Sequence, residues 1–163
     1  MSTEKKPYPL TDIENITTIL NKISIFAGLT KKQIETLFEL LGKVRYGKDE
    51  LIFSQGDPAS HIYIVRKGKV KIYMEAEDTN LELIEFGVGE CFGESALIGI
   101  EPHSASALAV QKTELIVLSG QALLSLYNSD RDIYIMVILN IAREVCRRLN
   151  KSDDILLHYA LKK

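Results

Sequence analysis

Apolar residues recur with two different periods along this chain, and the changes of period divide it into three stretches. Ile34, Leu37, Phe38 and Leu41 lie three and four residues apart, which predicts a helix over Lys31 to Leu41 with one apolar face. Thr30 and Gln33 form a capping box at its start, Leu29 and Ile34 suit a hydrophobic staple, and Gly42 is expected to end it. An earlier helix is predicted over Thr11 to Lys22, followed by a turn through Ile25–Thr30. From Lys43 to Leu118 the period drops to two. Candidate strands are Val44–Tyr46, Leu51–Phe53, His61–Val65, Val70–Met74, Leu81–Phe86, Ser106–Val110 and Glu114–Leu118. Turn-forming clusters separate them, among them Gln55-Gly56-Asp57-Pro58, Lys67-Gly68 and Gly87-Val88-Gly89. From Gly120 the helical period returns, with a short helix at Gln121–Tyr127, a break at Asn128-Ser129-Asp130, and one long helix from Arg131 to about Lys162.

Short strands at this spacing point to a roll or sandwich and away from a parallel sheet. The expected fold class is α+β: an antiparallel β-roll (double-stranded β-helix, or jelly-roll) flanked by N-terminal helices and a long C-terminal helix. Residues 1–10, with Pro7 and Pro9, are expected to be a flexible tail. Residues 11–163 are expected to form one domain, with N-terminal helices over 11–42, the roll over 43–119 and C-terminal helices over 120–163.

Composition narrows the function classes. Of 163 residues, 46% are hydrophobic and 26% charged, enough for one globular core. The formal net charge is -2 and there is no long basic run, so charge supplies no nucleic-acid surface. Arg143, Arg147 and Arg148 cluster mildly and are expected to form a solvated helix face. Cys91 and Cys146 form no CxxC pair, which fits reduced thiols and a cytoplasmic setting. Met1–Thr11 does not read as a signal peptide, and the longest apolar run, Ile133–Leu139, is broken by Asn140, so no membrane association is expected. No dinucleotide fingerprint or phosphate-binding GxxxxGK[ST] occurs. A cupin-type metal enzyme is the sharpest enzymatic rival for a β-roll, but it needs clustered histidines. His61, His103 and His158 are scattered, and no nucleophile–base arrangement stands out. A non-enzyme without metal or cofactor is expected.

The candidate chemistry lies in Gly89-Glu90-Cys91-Phe92-Gly93-Glu94-Ser95-Ala96-Leu97-Ile98-Gly99. Glycines at a strand end let backbone approach a ligand closely. Ser95–Ile98 suits a helical turn whose free N–H groups favour an anion. The Glu94 carboxylate accepts hydrogen bonds, as a sugar hydroxyl requires, or else simply caps that turn. Pro102-His103-Ser104-Ala105-Ser106 adds hydroxyls and an imidazole close by.

On these residues the chain resembles the cyclic-nucleotide-binding domain family. Ile52-Phe53-Ser54-Gln55-Gly56-Asp57-Pro58 is similar to the family's early strand and Gly-Asp turn, and Ile62–Val70 to its central hairpin. Phe92-Gly93-Glu94-Ser95-Ala96-Leu97, followed by Pro102, Ala105 and Ser106, resembles the phosphate-binding cassette. The resemblance implies a ligand-binding set of Phe92, Gly93, Glu94, Ser95, Ala96, His103, Ser104 and Ala105. Glu94 would take the ribose 2′-hydroxyl, and the backbone of Gly93, Ser95 and Ala96 would surround ribose and cyclic phosphate. The implied ligand is cyclic AMP, before cyclic GMP. Where the family carries a phosphate-clamping arginine this chain has His103, with the hydroxyl of Ser104 next to it. The alternative implied by that departure is a degenerate member acting as a dimeric scaffold, with no ligand or a different one.

Finally, Ile135, Ile138, Ala142, Val145, Leu149, Ser152 and Leu156 form a coiled-coil-like stripe, while Ile133, Val137 and Ile141 lie on another face and are expected to pack on the roll. A homodimer through Ile135–Leu156 is expected. Transcription regulators of the family continue into a helix-turn-helix domain, whereas this sequence ends at Lys163, so no direct DNA binding is expected. The expected role is a regulatory sensor coupling occupancy to movement of the C-terminal helix, with an unknown downstream protein as partner.

Overall fold

The computed structural model describes residues 5–12, 17–20, 22–77 and 79–161. The described elements are β1 (Tyr8–Pro9), α1 (Thr17–Leu20), a 3₁₀ turn (Ser24–Phe26), α2 (Lys31–Phe38), β2 (Leu41–Tyr46), β3 (Leu51–Phe53), β4 (His61–Lys67), β5 (Val70–Ala76), β6 (Thr79–Phe86), β7 (Cys91–Phe92), α3 (Glu94–Gly99), β8 (Ser106–Ala109), β9 (Thr113–Ser119), α4 (Gly120–Ser129) and α5 (Arg131–Leu161). The strands pair antiparallel into a five-stranded sheet ordered β1-β2-β9-β4-β7 and a four-stranded sheet ordered β3-β8-β5-β6. This is the expected α+β jelly-roll with flanking helices.

The alternation of side chains explains why the central strands read as nearly continuous apolar runs. In β4, Ile62 and Ile64 face the helices while Tyr63 and Val65 face the interior of the roll. In β9, Ile116 and Leu118 face the helices and Leu115 and Val117 the interior. Both faces of these strands are therefore buried, and the molecule has two cores sharing one sheet. The helix-side core also takes Ile133, Val137 and Ile141 of α5, the face expected to pack inward. Asn140, the residue that interrupts the apolar run, is itself buried. Its amide nitrogen donates to the carbonyls of Ile25 (3.2 Å) and Ala27 (2.8 Å), tying α5 to the 3₁₀ turn.

The start of the chain departs from expectation. Tyr8–Pro9 is not a loose tail but an edge strand paired with β2 through Tyr8–Lys43 and Pro9–Gly42, and Leu10 is buried. Proline is tolerated there because an edge strand has one unpaired side. Asp12, in the same segment, bonds Arg66 (2.5 and 3.2 Å) and Lys43 (3.2 Å); the Arg66 hydrogen bonds hold its carboxyl far below the usual carboxylate range. Within the expected Thr11–Lys22 helix only Thr17–Leu20 is helical among the described residues; 13–16 and 21 lie outside them.

α2 carries the predicted capping box but stops at Phe38, and Leu41 and Gly42 belong to β2. Leu41 suits a helical face as well as it suits a strand, and its pairing with Leu118 decides between them. Gly42 serves close approach rather than helix termination: a Cβ there would lie 2.9 Å from Pro7 Cβ and 3.0 Å from Val117 Cγ2.

Candidate functional site

β7, α3 and the segment before β8 bring the cassette residues to one end of the roll. Phe92 ends β7 opposite Tyr63 of β4. Gly93 then turns the chain with φ of 81°, a left-handed conformation that glycine adopts without strain. A Cβ at Gly93 would sit 3.1 Å from both the His61 carbonyl oxygen and the Tyr63 ring, so the close passage over β4 also requires glycine. α3 begins at Glu94 and ends at Gly99, slightly longer than the predicted turn. Ser95 is exposed and Ala96 buried.

The 102–105 segment docks on the Gly-Asp turn after β3. The Gly56 N–H donates to the His103 carbonyl (2.8 Å) and the His103 N–H to the Asp57 carbonyl (2.9 Å). Asp57 also accepts from the Ser54 N–H (2.8 Å), and the Gln55 N–H donates to Ser106 Oγ (2.8 Å). Two sequence motifs some 50 residues apart are thereby joined backbone to backbone. Ser104 is exposed and Ala105 buried.

His103 does not project to solvent. It is 5% exposed and lies flat on Phe53, with ring centroids 3.6 Å apart and planes at 6°. The stack continues into an aromatic cluster: Phe53 contacts Tyr63 and Phe92, Tyr63 stacks on Phe92 at 5.1 Å, and Phe86 stacks on Phe92 at 5.8 Å. The interior of the roll is lined by aromatic faces, which suit a planar heterocycle and also fill space with one another.

Glu94 is 2% exposed, and its Oε1 accepts from Nη1 of Arg148 on α5. Arg148 Nη2 donates to the Cys91 carbonyl (2.5 Å) and lies 3.4 Å from Glu144 Oε1, and the guanidinium sits 4.7 Å over the Phe86 ring. Among the described residues, Glu94 Oε2 is buried without a hydrogen-bond partner. Burial pushes the Glu94 carboxyl above its ordinary pKa, with Arg148 pulling the other way. Burial likewise pushes the Cys91 thiol up to about 12, so it stays protonated. For Glu144, burial acts upward but is outweighed by the Arg147 hydrogen bond and the charges of Arg148 and Arg147, and the net shift is down.

Arg148 is the residue that sequence reasoning missed. Of the three arginines expected on a solvated face, Arg143 and Arg147 are exposed, while the Arg148 side chain is 25% exposed and turned into the cassette. The dimer stripe is split in the same way: Ile135, Leu149 and Leu156 are exposed, whereas Ile138 and Val145 pack against the helix-side core. Both cysteines are free thiols. Among the described residues no group of His, Cys, Asp or Glu is placed to hold a metal, and no helix is long and apolar enough to cross a membrane.

Comparison with known proteins places this arrangement. The chain is 32% identical to the cyclic AMP receptor protein of Thermus thermophilus over 79% of its own length and 58% of that protein. It is 32% identical to the cAMP-dependent protein kinase type II regulatory subunit of Drosophila melanogaster over 56% of its length and 24% of that protein. It thus spans a little over half of the first relative and about a quarter of the second. Among solved structures, a cyclic nucleotide-binding domain from Methylobacillus flagellatus matches with a TM-score of 0.80 at 24% identity, covering 90% of this chain and 83% of that one. The Thermus thermophilus catabolite activator protein matches with a TM-score of 0.74 at 30% identity, covering 84% and 63%. The model of the cyclic nucleotide-binding domain family matches residues 43–130, more than half the chain, taking in β3 to β9 and the cassette, and the chain belongs to that family.

Proposed function

We propose that this chain is a non-enzymatic regulatory domain that binds a cyclic nucleotide, cyclic AMP in preference to cyclic GMP, between the cassette (Phe92–Ala96 with His103–Ala105) and the aromatic interior of the roll. The observation that carries this reading is Glu94: a carboxylate at the cassette position, buried, with one oxygen that has no donor among the described residues. A buried acceptor without a partner is costly, and a sugar hydroxyl would satisfy it. Relatives named for cyclic AMP support the choice of nucleotide. The Glu94–Arg148 pair offers a route from pocket to α5, and the exposed Ile135, Leu149 and Leu156 offer a homodimer seam.

Titration calorimetry of the purified chain with cyclic AMP and cyclic GMP tests this. Binding of cyclic AMP is expected, with Glu94→Ala weakening it by about 10-fold or more, the scale of one charge-assisted hydrogen bond. A Glu94→Ala protein that binds as well as the natural one refutes the assignment.

His103 favours a second reading. The position that holds the family's arginine carries an imidazole packed on Phe53, and the aromatic cluster is already in contact with itself. A degenerate, nucleotide-free scaffold would have this appearance, and absence of binding to either nucleotide selects it.

A further inference from the structure

β2 uses its two edges unequally. Along one edge all of Leu41–Tyr46 pairs with β9. Along the other, among the described residues, the ladder consists of the Tyr8–Lys43 and Pro9–Gly42 pairs with β1. Pro9 has no N–H to donate, and beyond Tyr8 the pairing stops. The Arg45 carbonyl accepts there not from backbone but from Lys5 Nζ (2.9 Å), which also lies 2.6 Å from Glu50 at the surface. An edge so sparsely paired is a template for an added strand.

Two side chains seat residues 5–12 on this edge. Leu10 is buried in the helix-side core. Asp12 lies between two cations, 3.2 Å from Lys43 Nζ and 3.2 and 2.5 Å from Arg66 Nη1 and Nη2. Lys43 and Arg66 are only 6% and 3% exposed, so together they form a built cradle for a carboxylate. Arg66 Nη1 also lies 2.8 Å from Glu114, yet Arg66 Nε is buried without a hydrogen-bond partner among the described residues. Asp12 therefore leaves one donor of the cradle unused. The rest of the segment fits its surroundings poorly. Extending the Tyr8–Lys43 register puts Lys6 level with Arg45, and like charges across a strand pair oppose docking.

We propose that the outer edge of β2 is a strand-docking site for a protein partner, and that residues 5–12 occupy it as an internal stand-in. The chemistry of the seat defines the partner: an extended, acidic segment with an apolar residue two positions before a carboxylate, the pattern of Leu10 and Asp12. Its apolar side chain takes the place of Leu10, its carboxylate takes the place of Asp12 between Lys43 and Arg66, and its backbone N–H groups take over outer carbonyls such as that of Arg45. An acidic segment free of proline gains where the chain's own segment loses, in ladder bonds and in attraction to Arg45. Arg66 lies at the opposite end of β4 from His61, over which Gly93 passes, so this site is separate from the cassette and independent of what the cassette binds.

The experiment is fluorescence anisotropy with two N-terminally labelled, C-terminally amidated peptides, EEVYVLTD and EEVYVLTN, on the full chain in its natural form and as Asp12→Asn and Lys5→Ser, each verified as folded by circular dichroism. Asp12→Asn loosens the internal segment at the cradle. Lys5→Ser loosens it at its exposed end, and so tests the site even where Asp12→Asn does not fold. EEVYVLTD should bind both variants at least about 3-fold more tightly than the natural chain, because the competing segment is weakened. EEVYVLTN should bind each about 10-fold more weakly than EEVYVLTD, the scale of one charge-assisted hydrogen bond. Hydrogen exchange over residues 41–46 should slow when EEVYVLTD is added, which locates the peptide on β2. Failure of EEVYVLTD to bind any folded form, equal binding of the two peptides, or protection away from β2 overturns the proposal. Self-association of Asp12→Asn beyond that of the natural chain in light scattering, with β2 protected and no peptide bound, makes a second copy's segment the occupant and overturns the acidic partner.

Discussion

Removing Arg148 should cost stability in a way that depends on pH, and the size of the effect follows from the burial of Glu94. In Arg148→Met the apolar stem over Phe86 is retained, but Glu94, 2% exposed, loses its charge partner. Breaking a buried pair from one side costs about 3–5 kcal/mol, because the remaining charge is uncompensated. Glu94 can escape that cost by holding a proton. Its folded-state pKa already lies above the ordinary 4.5, so the folded chain holds the proton more tightly than the unfolded one. That favours folding fully below pH 4.5 and is lost as pH rises through the folded-state value. Without Arg148 the folded-state value rises further. At about 1.4 kcal/mol per unit, a loss of 3–5 kcal/mol spreads over roughly two to four pH units. Denaturant unfolding followed by circular dichroism should therefore show Arg148→Met strongly destabilised at pH 7.5 and much less so at pH 5. Adding Glu94→Gln should restore most of the loss, since the buried charge is gone. By itself Glu94→Gln should cost less than Arg148→Met, because its amide oxygen still accepts from Arg148 and Glu144 still lies 3.4 Å from Arg148 Nη2. A loss below about 1 kcal/mol at pH 7.5, or one equally large at pH 5, refutes the buried pair.

Two further perturbations probe other parts of the fold. Ile100 ends α3 with φ of 56° while 91% exposed, so Ile100→Gly should relieve left-handed strain without losing burial and stabilise the chain by about 1 kcal/mol; a lower thermal midpoint would contradict this. Leu149 is 59% exposed on the proposed seam, so Leu149→Glu should convert a dimer to a monomer in light scattering without unfolding it, whereas a natural chain that stays monomeric at high concentration removes the seam.

The fold was legible because the two periods were clean where burial is one-sided or complete. β4 and β9 satisfy two cores at once, so their apolar runs stood out, and the capping box at Thr30 marked the start of α2 within the sequence itself. The errors fall where a residue suits two structures. Leu41 completes a helical face, yet its partner Leu118 lies far along the chain, and only the sheet register shows that it is a strand residue. Pro7 and Pro9 read as tail chemistry, and nothing local reveals that Gly42 leaves room for them against β2.

The site was legible to the extent that its chemistry is contiguous. Gly93 and Glu94 are neighbours, and the close backbone approach followed by a helical turn could be read from the residue types there. Arg148 was not legible, for a definite reason. It sits in a run with Arg147, Asn150 and Lys151, which has the composition of a solvated face, and one turn further on every α5 residue is exposed. A helix position becomes half-buried there because β7 and α3 rise to meet it, and that depends on Gly93 passing so close to β4 that an added Cβ would lie 3.1 Å from the His61 carbonyl oxygen. The general signal is an imbalance that sequence alone displays only in part. A glutamate in a cassette of small and apolar residues must be buried, and a buried carboxylate requires a cation or a proton. Once His103 is committed to Phe53, the cation comes from outside the cassette, and α5 is the element that passes over its mouth.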